Sequence, residues 1–170
     1  MAALVIRTFL ADEWPAYRAL RLRALGDAPD AFSSTLAAEQ ALPLETWCAR
    51  LARGAASGID HPLLAELDGE AVGLAWAKVD ADDASLVNLF QMWVAPGVRA
   101  QGVAAALLDE AIRWATARGA DALQLGVNCA NLAAVRLYRR AGFIETGWRE
   151  PMRPGSALVE QRMRLALAAG

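Results

Sequence analysis

Residues 99–108, RAQGVAAALL, put a basic side chain, a glycine and a run of small residues directly after LFQMWVAP, residues 89–96. The upstream stretch reads as a strand that Pro96 and Gly97 stop. Apolar positions at Val103, Leu107, Ala111 and Trp114, with Leu108, Ile112 and Ala115 beside them, repeat at helical spacing, and Gly119 ends that helix. A strand, a short loop and a helix starting near Gly102 leave several backbone N–H groups without an intrahelical acceptor. Gly102 has no Cβ to obstruct close approach, Ala104 keeps the next turn narrow, and the helix dipole favours negative charge at that end. This combination predicts a pyrophosphate site, with Arg99 adding a guanidinium and Gln101 a further donor.

On the N-terminal side, Leu4–Leu10 reads as a strand and Asp12 as the cap of a helix through Tyr17 and Leu25. Residues 26–42 carry turn formers, and Pro43 opens a helix through Trp47 and Leu51 to about Gly54. Pro62–Leu67 and Ala71–Val79 read as antiparallel strands joined by Asp68-Gly69, the strongest short hairpin signal in the chain. A long strand occupies SLVNLFQMWVAP. Downstream, ALQLGV is a strand, Asn131 caps a helix to about Arg140, and FIETGWRE and ALVEQRMRLAL are two closing strands. The order β-α-α-β-β-β-α-β-α-β-β predicts a mixed α+β sheet with no internal repeat, and 170 residues with 56% hydrophobic content suit one core.

Charges nearly cancel: 17 Lys plus Arg against 19 Asp plus Glu give a formal net charge of -2, which argues against nucleic acid as a partner. Cys48 and Cys129 stand apart, so neither a disulfide framework nor a metal site is indicated. No apolar run approaches the length of a membrane span, and the expected location is cytoplasmic. His61, the one histidine, precedes Pro62 and reads as a solvated loop residue.

A second pattern follows, NLAAVRLYRRAGF at residues 131–143. Asn131 and Tyr138 are two helical turns apart and project from one face, with Ala134 and Val135 between them. Read alone, Asn131 is a helix cap and Tyr138 a core aromatic. Together with RAQGVA after LFQMWVAP, the pattern resembles the acetyl-CoA-binding core of the GNAT N-acetyltransferase superfamily, over roughly residues 85–147. The resemblance implies a GNAT-like α+β fold: a mixed, mostly antiparallel sheet of roughly six to seven strands flanked by about four helices. It implies a single N-acetyltransferase domain over 1–170 and acetyl-CoA as donor, with no metal. The strand 86–94 would be bulged and splayed, the backbone of Met92, Trp93 and Val94 holding pantetheine. The loop Arg99, Ala100, Gln101, Gly102, Val103 and Ala104 would cradle the pyrophosphate. Asn131 and Ala134 would contact the donor, and Tyr138 would sit beside the thioester sulfur as the catalytic acid.

The expected reaction is acetyl transfer to a primary amine of a small molecule. A noncatalytic acyl-CoA-binding module and a protein N-terminal or lysine acetyltransferase are the alternatives. Arg21, Arg23, Phe32 and Ser33 are candidates for the acceptor wall. The general base stays open between a water held by Asn88 or Gln91 and a carboxylate from Glu39, Asp82 or Asp83. The family also makes a homodimer a standing expectation.

Overall fold

Asp68 and Gly69 both adopt positive φ, 51° and 83°, and fold β2 (Asp60–Leu67) onto β3 (Glu70–Val79) with Leu67 opposite Glu70. Two successive left-handed residues give the turn whose twist matches the flanking strands. In the computed structural model, which describes residues 2–168, this hairpin is the middle of the left half of a seven-stranded sheet. β1 (Leu4–Thr8) pairs with β2, and β4 (Leu86–Val94) pairs with β3, both antiparallel. β5 (Ala122–Asn128), β7 (Val159–Ala166) and β6 (Ile144–Pro151) complete the order β1-β2-β3-β4-β5-β7-β6. The fold is α+β, and among the described residues the β4–β5 pair alone is parallel.

Helix α1 (Trp14–Asp27) and helix α3 (Leu44–Ala56) pack on each other, α1 also against β3 and α3 against β2. Helix α4 (Val103–Ala117) lies across β1 to β5 and buries Val103, Leu107, Leu108, Ala111 and Ala115, the stripe that its 3.6-residue period dictates. Tyr17, Trp47, Leu51 and Leu63 are among the most completely buried side chains. A Cβ added to Gly54 would overlap Trp76 Cζ2, while Trp76 Nε1 donates to Asp60 Oδ1 at 2.8 Å and anchors the ring. Gly54→Ala is therefore expected to lower stability by ~1–3 kcal/mol, the usual cost of overpacking, read as a lower midpoint in chemical denaturation.

Several local expectations are corrected. The first strand ends at Thr8, and residues 11–13 form a 3₁₀ turn before α1. Asp12 makes no cap; the Glu13 carboxylate accepts from the Leu10 N–H and is held by Arg7, whose guanidinium keeps the carboxyl at about 2. The segment 26–42 contains a short helix α2 (Leu36–Gln40), capped by the Thr35 hydroxyl, so the α-helices number five among the described residues, the fifth being α5 (Leu132–Arg140). His61 lies in β2 and not in a loop. Its ring stacks on Trp114 with centroids 4.9 Å apart, its Nε2 is 3.0 Å from Glu110 Oε1, and burial lowers its pKa despite that carboxylate.

Among the described residues no helix is long and apolar enough to cross a membrane.

Candidate active site

β4 and β5 are hydrogen-bonded only from Leu86 opposite Ala122 to Leu89 opposite Leu125. Beyond that point β5 continues to Asn128 against β7, while β4 stays on β3, and the two strands part. A bulge drives the separation. Trp76 faces Phe90 and Leu74 faces Trp93, so Gln91 and Met92 together oppose Ala75 alone, and Gln91 takes φ 59°. Such a φ is costly for a residue with a Cβ and persists only where its surroundings hold it. Tyr17 Oη supplies the hold, donating to Gln91 Oε1 at 2.8 Å from a site packed edge-on against Phe9 and Trp47.

The parted strands open a cleft of about 560 Å³. Met92, Asn131, Ala134 and Tyr138 line it. The Asn131 side chain accepts from the Ala134 N–H at 3.2 Å and so caps α5, and the helix then carries Tyr138 to the same wall two turns on. Tyr138 is 6% exposed and its ring leans on Phe143 at 5.7 Å. Burial pushes its hydroxyl above the ordinary tyrosine value, so it stays protonated and can donate at neutral pH.

The other predicted donor-side positions lie outside the cleft. Trp93 and Val94 turn their side chains into the core, and the Trp93 indole donates to Asp27 Oδ2 at 2.9 Å, leaving only backbone to face a ligand. In the loop, Ala100 and Gly102 have φ of 64° and 82° on either side of Gln101, and nothing lies within 4 Å of a Cβ built on Gly102. The first ladder bond of α4 is Ala106 N–H to the Gly102 carbonyl at 3.0 Å, so the amides of Val103, Ala104 and Ala105 precede it. Residues 99–102 are exposed. The loop thus has the backbone form of an anion cradle. Arg99 is oriented differently from the expectation: Nε donates to the Val94 carbonyl at 3.0 Å and Nη2 to Asp27 Oδ2 at 2.5 Å. Asp27 ends α1 and gathers both Trp93 and Arg99, and these donors hold its carboxyl below the usual range. Arg99 therefore ties the loop to α1 as well as lending it charge.

None of the three carboxylates considered as base lines the cleft. Glu39 is buried between Arg21 and Arg50, and Asp82 and Asp83 belong to the exposed turn before β4. Asp80 and Glu160 line it instead. Asp80 accepts from Asn88 Nδ2 at 2.8 Å and from two backbone amides, which lower its carboxyl. Glu160 is the opposite case, raised by burial and then by the charge of Glu150. Its Oε2 would lie 2.6 Å from a Cβ built on Gly126, so the missing side chain in β5 leaves room for this carboxylate from β7. Nothing local in VEQRM marks Glu160; only the pairing of β7 with β5, Glu160 opposite Asn128, brings it there. Of the acceptor-wall candidates, Arg21, Phe32 and Ser33 line the cleft, and Arg23 instead stacks over the Trp93 ring at 5.4 Å.

The family model "Acetyltransferase (GNAT) family" matches residues 14–143. A mycothiol acetyltransferase of Clavibacter michiganensis subsp. michiganensis is 30% identical over 145 residues, 84% of this chain and 43% of the relative. The chain spans less than half the length of the curated relatives it matches. Among solved structures, a GNAT-family acetyltransferase from Streptococcus pneumoniae superposes with TM-score 0.81 and 27% identity, covering 98% of this chain and all of that one. A ribosomal-protein-alanine N-acetyltransferase from Brucella melitensis gives 0.76 and 27%, covering 96% and 99%.

Proposed function

The chain belongs to the acetyltransferase (GNAT) family, and from that premise we propose that it transfers an acetyl group from acetyl-CoA to a primary amine of a small molecule by direct attack. The observation that carries the reading is the parting of β4 and β5 beside the α4 N-terminus, with the Tyr138 hydroxyl buried in the cleft between them. In this reading the amides at Gln101 to Ala104 bind the pyrophosphate, and the backbone of Met92 to Val94, past the point where β5 leaves β4, receives pantetheine. The thioester then reaches the wall formed by Asn131, Ala134 and Tyr138. No residue among those lining the cleft is needed as a covalent carrier, because a neutral amine is itself a competent nucleophile.

Glu160 accepts one proton from the acceptor ammonium. The freed amine attacks the thioester carbonyl carbon, a C–N bond forms and the C–S bond breaks. Tyr138 gives its proton to the departing sulfur, and the proton lost from nitrogen as the amide forms returns to Tyr138 through solvent. One proton is released per turnover. A noncatalytic binding module would need no buried, protonated donor at the thioester end, so Tyr138 favours the enzyme over that alternative.

Release of free CoA from acetyl-CoA across a panel of primary amines, followed with a thiol reagent, tests the reading. CoA release with at least one small amine is expected; donor binding without release from any amine would support the noncatalytic module. The base has its own signature. Its raised pKa places the acid limb of kcat/KM above the ordinary carboxylate value of 4.5, with rate rising as pH rises through the limb and Glu160 loses its proton. Glu160→Gln is expected to lower kcat/KM by about 10²-fold and to erase that limb. A full acid limb in the Gln variant assigns the base elsewhere.

A further inference from the structure

Arg21 projects from α1 into the wall of the cleft and is 5% exposed, yet its Nε and Nη1 have no hydrogen-bond partner. Guanidinium is always charged, and a buried cation without hydrogen bonds is costly. The nearest anion does not compensate it. Glu39 Oε1 is 3.4 Å from Arg21 Nε, and the same carboxylate lies 3.3 Å from Arg50 Nη2, so two guanidinium groups share one negative charge at long range. Local charge is therefore in excess by one cation. The Phe32 ring holds the Arg21 guanidinium in place, 4.7 Å from its centroid, and Arg153 donates to the Phe32 carbonyl at 2.9 Å to fix that loop. Ser33 and Ser34 follow in the same wall and present hydroxyl groups. Arg21 is thus a held cation that shares its one anion with Arg50, and the cleft it lines also contains the Glu160 carboxylate, which suits an ammonium group.

Resting on the acetyl-transfer reading, we propose that Arg21 receives a carboxylate carried by the acceptor, so that the acceptor is an amino-acid-like zwitterion whose ammonium group meets Glu160. A carboxylate entering the cleft would pair with this guanidinium and neutralise the surplus charge. Phe90, Met92 and Met152 also line the cleft and offer apolar surface to a hydrophobic substituent on the acceptor's α-carbon. An N-terminal peptide segment has no carboxylate on the reacting residue, so this chemistry separates a free amino acid from a protein terminus.

The test pairs leucine, methionine and phenylalanine with their amides and their decarboxylated amines. The amides are less basic and the decarboxylated amines more basic than the amino acids, so a preference over both is not an effect of amine basicity. For the wild-type protein kcat/KM should favour the carboxylate-bearing member of at least one set by about 100-fold or more. Titration of the same set into CoA-saturated protein should show tighter binding of that member, which is read without turnover. In Arg21→Gln the preference should collapse to within about threefold, and Arg21→Lys, which keeps the charge but loses the fork, should fall between. A wild-type preference absent from every set, a preference that survives Arg21→Gln, or faster transfer to an alanine-initiated peptide than to any free amino acid would overturn the assignment. Binding preference without CoA release would defeat the transfer reading and leave the carboxylate pocket standing; release from amines irrespective of their carboxylate would do the reverse.

Discussion

Gly102→Glu is expected to abolish acetyl-CoA binding, which in the wild-type protein should be micromolar. The position opens α4, has φ 82°, and faces open space, so a glutamate there neither clashes nor finds a partner. Its carboxylate would instead stand where the proposed binding mode puts the pyrophosphate charge. Two like charges at about 4 Å repel by ~4 kcal/mol at the effective dielectric of a protein surface, close to three orders of magnitude in affinity. Forcing a side chain into the left-handed region adds a smaller backbone cost, which Gly102→Ala isolates. Calorimetry should therefore show near-normal folding and no measurable heat for the Glu variant, with only a modest loss for the Ala variant. Unchanged affinity in Gly102→Glu would remove the loop from the site.

Tyr138→Phe should leave acetyl-CoA affinity almost unaltered and lower turnover by about 10²-fold under chemistry-limited conditions. The ring keeps its packing on Phe143, and the only atom removed is the buried oxygen whose raised pKa keeps it protonated. A thiolate is already a fair leaving group, which sets the effect at the lower end of the range for general acids. Because the hydroxyl titrates above its ordinary value, the wild-type rate should show no alkaline decline from Tyr138 below pH ~10. Wild-type turnover in the Phe variant would return Tyr138 to a core aromatic.

What could be read from sequence divides along physical lines. The hairpin at Asp68-Gly69, the α4 stripe beginning at Val103 and the α5 cap at Asn131 are written within a few neighbouring residues, because turn conformation, helical period and capping are local. The shared wall of Asn131 and Tyr138 follows from the same helical geometry. The bulge at Gln91 is a different matter: Tyr17 holds it from 74 residues away, and only the resemblance to a family announced it. Arg99 could be read as a loop cation, while its bond to Asp27, 72 residues distant, depends on where α1 ends. Glu160 was invisible for a related reason. Its carboxylate reaches the cleft because β7 lies against β5 and Gly126 leaves the space, and neither strand signals the other in sequence. Arg21 is an acceptor-wall candidate in the sequence, but its shortage of hydrogen-bond partners shows only once α1 is packed.

A structure of the protein with acetyl-CoA tests the central assignment most directly. The expected result has the pyrophosphate on the amides at Gln101 to Ala104, pantetheine between the parted strands β4 and β5, and the thioester sulfur within hydrogen-bond reach of Tyr138 Oη. A donor bound away from this opening, or seated in it with the sulfur turned from Tyr138 and beyond reach of its hydroxyl, contradicts the assignment.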